Sequence, residues 1–544
     1  MRVERQETGH LAKAFRFAVL TGASRVVALG REVIAARYFG VTPAMSAFTV
    51  AFQIPNLLRS LFADSALQGA IVPVLGELAE KGRRGEVAQA VNALAATLTL
   101  LLGTLTVGFV IFAHPIIDVI APGFAHGGGA SANLAANLAR VMFPVVLLIS
   151  LSGIAAGALN AFDEFSIPAV APALWNGVIV ITLVAGAELT SGNRRVYLYA
   201  VGVVAGSVAQ LLLPIPRLRR LGISLGVPRR AAGVHVRKML KSMLPVTVAL
   251  GVMNFSLLLD SFFGSLISGS APAAIDKAFR LYQVPQGIFS VAIATVLFPA
   301  LVREASRRDF AAVHARMARG LRGTLFLLLP TAAFVGALAT PLTHAVYQRG
   351  AFDTNATTMT ATALRWWAIA MPFAGMSTFL WRVLFSLNER RAAIVLTAVN
   401  LGTNVAVSAA LYSPLGITGD VIGTVSGTVV MAVLQWSLVE RRLRERGSSD
   451  THERLLRPLV GMAVAAGAAW LVAYVVSSVL RPGDDAATIV WLGNILLAAA
   501  AAAACYFPAT WLFGVPEARS AGGAARRLLA SIRSSRSEPA RAIA

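Results

Sequence analysis

Unbroken apolar stretches of about 20 residues or more recur along the whole of this 544-residue chain, and no other feature restricts its fold so tightly. A run of that length crosses a hydrocarbon core about 30 Å thick as an α-helix. Inside lipid every backbone N–H and C=O must be paired within the protein, which leaves helices or a closed barrel. Barrel strands alternate polar and apolar residues over about ten positions. The runs here are continuous, so the reading is an all-α integral membrane protein. Composition agrees: 56% of the residues are hydrophobic and only 14% are charged, against about 25% charged in a soluble domain.

The predicted spans lie near 14–39, 44–76, 88–112, 134–159, 166–187, 195–214, 241–266, 272–301, 318–340, 359–387, 391–411, 418–439, 455–480 and 487–513, about fourteen crossings. The first carries Arg16, Arg25, Arg31, Glu32 and Arg37, which excludes it as a signal-peptide core. The lone cysteine, Cys505, sits in an alanine-rich run and has no partner for a disulfide within the chain.

The net charge of +22 would suggest nucleic acid in a soluble protein. Here the bases have an address. They cluster between 217 and 241, at Arg303/Arg307/Arg308, at Arg390/Arg391, at Arg441/Arg442/Arg444/Arg446 and in the tail after Arg519. The alternate loops 113–133 and 411–419 contain neither Lys nor Arg. That alternation places both termini and the basic loops in the cytoplasm. The basic charge is thus topological, aided by anionic lipid; membrane lipids are expected partners, and no nucleic-acid partner is expected.

Landmarks recur at an offset of 226 to 230 residues. Pro55 in AFQIP answers Pro285 in AFRLYQVP, Pro73 answers Pro299, Pro115 answers Pro341, Phe143-Pro144 answers Met371-Pro372, Leu159-Asn160 answers Leu387-Asn388, and Asn176 answers Asn404. An even number of spans separates the copies, so they point the same way: two parallel six-helix lobes with a site expected between them. The expected organisation is an N-terminal lobe over 1–240, a C-terminal lobe over 241–447, two additional transmembrane helices over 448–515 and a basic cytoplasmic tail over 516–544.

A charge deep in a span costs about 2.5–3.5 kcal/mol on insertion scales, so such residues face a wet cavity or a partner. Arg25, Arg31 and Glu32 lie in the first span, Arg59 and Asp64 follow Pro55 in the second, Asp260 lies in the seventh, and Arg280 with Gln283 in the eighth. Arg25 and Glu32 share a stripe at about 100° per residue, with Arg31 about 120° away. Arg16 and Arg37 are read as snorkelling to an interface. A cavity lined by guanidinium suits a diphosphate, which Arg binds in bidentate fashion. The seven histidines are assigned to loops on either side, with no metal spacing among them. No catalytic set and no nucleotide motif is present, so the expectation is a transporter and not an enzyme.

The stretch SRVVALGREVIAARYFGVTPAMSAFTVAFQIPNLLRSLFADSALQGAIVPVLGELAE (Ser24 to Glu80) resembles the signature of the MurJ/MviN lipid II flippases of the MOP exporter superfamily. ALNAFDEFSIPAVAPALWN and RLYQVPQGIFSVAIATVLFPAL resemble two later signatures, and the likeness runs from about Leu11 to at least Arg442. The resemblance implies a flippase of the bacterial cytoplasmic membrane that moves lipid II, an undecaprenyl-diphosphate-linked peptidoglycan precursor, to the outer leaflet by alternating access. It implies substrate-binding roles for Arg25, Arg31, Arg59 and Arg280 and gate roles for Glu32, Asp64 and Gln283. Three positions depart from the family pattern: Ser46 where an acid is common, and Phe279 and Gln283 flanking Arg280. Some members of the family bind a cation between helices seven, eleven and twelve; Asp260, Asn400 and Asn404 here offer hard oxygen ligands for a monovalent ion such as sodium, or else hydrogen-bond across helices. The alternatives are a flippase for another polyprenyl-diphosphate-linked glycan, or a transport-dead scaffold that recruits cell-wall synthesis or division proteins.

Overall fold

A computed structural model describes residues 2–62, 65–126, 129–223, 233–448, 452–483 and 486–519, and all regular structure among them is helical. The chain divides into two compact units. The first holds α1 (Arg2–Phe39), α2 (Pro43–Phe62), α3 (Ser65–Glu80), α4 (Arg84–Ile120), α5 (Gly123–His126), α6 (Ala130–Met142), α7 (Val145–Asn160), α8 (Ser166–Ala187), α9 (Asn193–Leu212), α10 (Ile215–Arg220) and α11 (Gly233–Ile267). The second is built from α12 (Ala271–Ser306), α13 (Phe310–Ala337), α14 (Ala339–Tyr347), α15 (Thr354–Ser386), α16 (Arg390–Leu415), α17 (Ile417–Glu445), α18 (His452–Val479) and α19 (Thr488–Leu512). Three short pieces of these last elements belong to the first unit instead: the start of α12 up to Asp276, Tyr347–Ala356 and Tyr412–Asp420.

Each predicted span falls on a helix or a broken pair of helices. Ten helical segments among the described residues are long and apolar enough to cross a membrane. They do not include α1, α2, α3, α11 or α12, so fourteen crossings is a number that rests on the sequence. The basic tail from 520 onward lies outside the described residues.

Two prolines at matching positions mark helix breaks, whereas Pro55, Pro73, Pro285 and Pro299 are carried inside α2, α3 and α12. A proline ring clashes with the carbonyl four residues back and removes one hydrogen bond. In α4 the backbone leaves helical geometry at Phe112 (φ −96°, ψ 17°), three residues before Pro115. In the second unit α13 ends at Leu338 (φ −102°, ψ 20°), three residues before Pro341. The two breaks are 226 residues apart, the spacing of the two prolines. Pro144 separates α6 from α7, whereas its counterpart Pro372 is carried inside the single helix α15.

Each unit has its own apolar core. In the first, Ile71 and Leu75 of α3 pack with Leu94 and Leu98 of α4 and with Ile154 of α7. In the second, Leu321 of α13, Phe379 and Leu384 of α15 and Val439 of α17 form one cluster. The α18–α19 hairpin docks on α13, where Tyr506 of α19 donates to the Phe326 carbonyl at 2.9 Å. Asn494 closes the hairpin, accepting from the Ser477 hydroxyl at 2.7 Å and donating to the Leu480 carbonyl at 3.0 Å.

Candidate functional site

Arg31 and Glu32 are buried in the first unit, each side chain 8% exposed, and form an ion pair. The Arg31 guanidinium also lies over the ring of Trp175 on α8, 5.1 Å from its centroid. Trp175 is held in place by α9: its indole N–H is 3.2 Å from both the Val203 carbonyl and Ser207 Oγ. An aromatic ladder leads away from it through Phe52, Phe48 and Tyr199, with the last two rings stacked at 4.1 Å. Two turns before Arg31, the Ser24 hydroxyl lies 3.0 Å from the Ala169 carbonyl and ties α1 to α8. A delocalised planar cation fits this stack in a way an ammonium would not.

The other sequence-predicted residues fall as follows. Arg25 is on α1 and exposed. Arg59, half-buried in the turn of α2 after Pro55, donates to Asn56 Oδ1 through Nε at 3.2 Å and Nη2 at 3.0 Å. Asp64 lies outside the described residues. Arg280 belongs to the second unit, half-buried on α12, and Gln283 is exposed on the same helix. Glu32 pairs with its sequence neighbour Arg31, not by way of the stripe it shares with Arg25.

Phe279 belongs to an aromatic cluster with Tyr282 and with Trp367 of α15, at centroid distances of 5.8 and 5.1 Å. Ser46 has a distinct task. Its Oγ accepts from the Ala273 N–H at 3.2 Å, satisfying one of the orphan donors in the first turn of α12. Neighbouring contacts close the same region of the first unit. Ala351 N–H donates to the Arg37 carbonyl at 2.8 Å. Gly40 at φ +56° leaves no room for a Cβ, which would lie 2.3 Å from the Ala351 carbonyl oxygen. A Cβ on Gly123 would lie 2.0 Å from that of Ser265.

Asp260 is buried on α11 in the first unit; Asn400 and Asn404 are buried one turn apart on α16 in the second. Asn404 donates to Thr424 Oγ1 on α17 at 3.1 Å and accepts from Ser408 at 3.0 Å. Those bonds leave a lone pair on the Asn404 oxygen and tie α16 to α17 as part of an interhelical network. Among the described residues no cluster of three His, Cys, Asp or Glu side chains could hold a metal.

Residues 35–490 match the family described as lipid II flippase MurJ. The chain belongs to that family. Among its MurJ relatives, the lipid II flippase MurJ of Burkholderia cenocepacia is 34% identical over 354 residues, covering 64% of this chain and 68% of the relative. The probable lipid II flippase MurJ of Bdellovibrio bacteriovorus is 27% identical over 511 residues, 93% of this chain and 95% of the relative. The solved structure of lipid II flippase MurJ in an inward closed conformation shares the fold, with a TM-score of 0.73, 20% identity and coverage of 90% of this chain and 98% of that one. An inward-facing MATE family multidrug transporter of the MOP superfamily matches at a TM-score of 0.63 and 18% identity, over 78% of this chain and 95% of that one. MurJ membership makes this a transporter and a multi-pass protein of the bacterial inner membrane.

Several residues escaped the sequence reading. Lys277, fully buried one turn before Arg280, was signalled only by a lysine inside an apolar run. Trp175 sits in a recognised segment, but nothing in its spacing points to Arg31. Two histidines assigned to solvated loops are buried. His314 of α13 lies 3.1 Å from Glu440 Oε1 on α17 and 2.9 Å from Ser448 Oγ, and His344 of α14 stacks on Trp491 at 4.0 Å. Helix packing covers both rings, and hydropathy carries no signal for that.

Proposed function

We propose that this chain moves lipid II from the inner to the outer leaflet of the cytoplasmic membrane by alternating access, with Arg31 as the central contact for the diphosphate. The observation that carries the proposal is a guanidinium buried, paired with Glu32 and stacked on Trp175, in a member of the MurJ family. A diphosphate cannot leave water without cationic partners. Glu32 stands in for it in the unloaded protein: the incoming phosphate oxygens take over the guanidinium, and the carboxylate is released to signal that the site is filled. Arg25, Arg59 and Arg280 are the further substrate contacts in this reading, and Asp64 and Gln283 act with Glu32 as the gate. Asp260, Asn400 and Asn404 are in this reading the oxygen donors available to a monovalent cation such as sodium.

The contacts of Arg37, Gly40 and Ser46 with Ala351 and Ala273 are the natural extracytoplasmic closure of such a cycle, and they separate when the outer face opens. The test is rescue of a bacterium depleted of its own lipid II flippase, with wild type and Arg31→Ala at matched membrane levels. Wild type rescues and the variant does not. Failure of well-inserted wild type rejects lipid II as the cargo, and equal rescue by both rejects the role of Arg31.

A further inference from the structure

Helices α16 and α17 touch at one end and part at the other. A Cβ on Gly423 would lie 1.9 Å from Ser408 Oγ, and one on Gly427 would lie 2.7 Å from the Asn400 carbonyl oxygen. Two glycines one turn apart thus let the two backbones meet, as small residues do between membrane helices. Toward Glu389 and Arg442 the helices separate around a groove of about 780 Å³. Its walls are apolar, among them Val395 and Leu396 of α16 and Leu434 and Leu438 of α17. Val395 is 61% exposed and Leu434 39%, on two helices long and apolar enough to cross a membrane. Exposed aliphatic side chains on such helices face hydrocarbon, where no soluble partner reaches.

The mouth of the groove is cationic. Arg441, Arg442 and Glu389 line it. Arg442 lies 3.0 Å from both Glu389 and Glu445, Arg446 lies 3.3 Å from Glu389, and Arg441 lies 2.8 Å from Glu445. Three arginines therefore share two carboxylates, and the Arg441 side chain is 77% exposed. Surplus positive charge stands at the rim of an apolar slot, where a membrane-spanning helix leaves the bilayer.

We propose that this groove is a binding site for an anionic phospholipid, its phosphodiester on Arg441 and Arg442 and one acyl chain between α16 and α17. Only a molecule with an anionic head and a hydrocarbon tail satisfies both parts of the site. Basic pockets between transmembrane helices recognise anionic headgroups in this way. A zwitterionic lipid brings its own ammonium to the arginines and is disfavoured. The bound lipid bridges the start of α16 and the end of α17, the elements that the Glu389–Arg446 pair already joins. None of the residues assigned to lipid II takes part, so the site stands or falls independently of the cargo.

The test uses the full chain, delipidated in detergent, exposed to mixed vesicles of phosphatidylglycerol and phosphatidylcholine, and weighed intact by native mass spectrometry. Wild type retains phosphatidylglycerol in preference to phosphatidylcholine. Arg441→Gln lowers phosphatidylglycerol retention about fivefold, the effect of one arginine near a membrane surface. Val395→Trp, a substitution on an exposed position, fills the groove and lowers retention of both lipids. Equal retention of the two lipids by wild type, or unchanged retention in either variant, overturns the proposal. So does displacement of the retained lipid by inorganic phosphate alone, which would make the rim a free-phosphate site.

Discussion

Arg31 and Glu32 are adjacent in sequence, and adjacent helical residues point about 100° apart. They meet because the guanidinium arm is long enough to swing round α1, and because Trp175 offers it a flat surface on the way. Removing one partner of a buried pair leaves the other as an uncompensated charge and costs about 3–5 kcal/mol, whereas removing both costs far less. Arg31→Ala and Glu32→Ala are each expected to lower thermal stability in detergent, and the double variant by clearly less than the sum. A strictly additive double variant would show that the two charges do not depend on each other in the folded protein. The stripe of Arg25 and Glu32 was legible from helical periodicity. The pairing that forms was not, because side-chain reach and a ring from another helix decide it.

Helices in this protein meet through short polar contacts and through glycines. Ser46 caps α12 from α2, and Gly423 and Gly427 bring α17 onto α16. If the Ser46–Ala273 contact belongs to a closure that must open in each cycle, fixing it stops transport. In a Cys505→Ala background, Ser46→Cys with Ala273→Cys is expected to cross-link under mild oxidation and abolish rescue, with activity returning on reduction; either cysteine alone supports growth. A cross-linked protein that still rescues would place the moving contacts elsewhere. The prolines that break α4 and end α13 could be read from the sequence, since the ring's clash with the preceding turn is local. The burial of His314 against Glu440 could not, since 126 residues separate the two and only packing brings them together.

At the scale of the molecule, the distribution of the +22 charge is the topological argument. It predicts that a fluorescent protein fused after Ala544 matures in the cytoplasm, and that alkaline phosphatase inserted at Gly129 is active outside it; reversed signals at both sites would invert the assigned orientation. The sequence by itself determined the helical membrane class, where the long helices lie, the proline spacing of 226 residues and the family. These follow from rules that act within one stretch of chain: lipid demands that each span satisfy its own backbone, and proline interrupts its own helix. The tertiary structure alone decided that Arg31 would be stacked on Trp175, that Ser46 would serve α12, that two loop histidines would be buried and that α16 and α17 would part around a basic-rimmed groove. Each of these depends on how one helix is rotated and set against another. Hydropathy tells a helix to enter the membrane but leaves that rotation open, and side-chain packing between distant segments settles it.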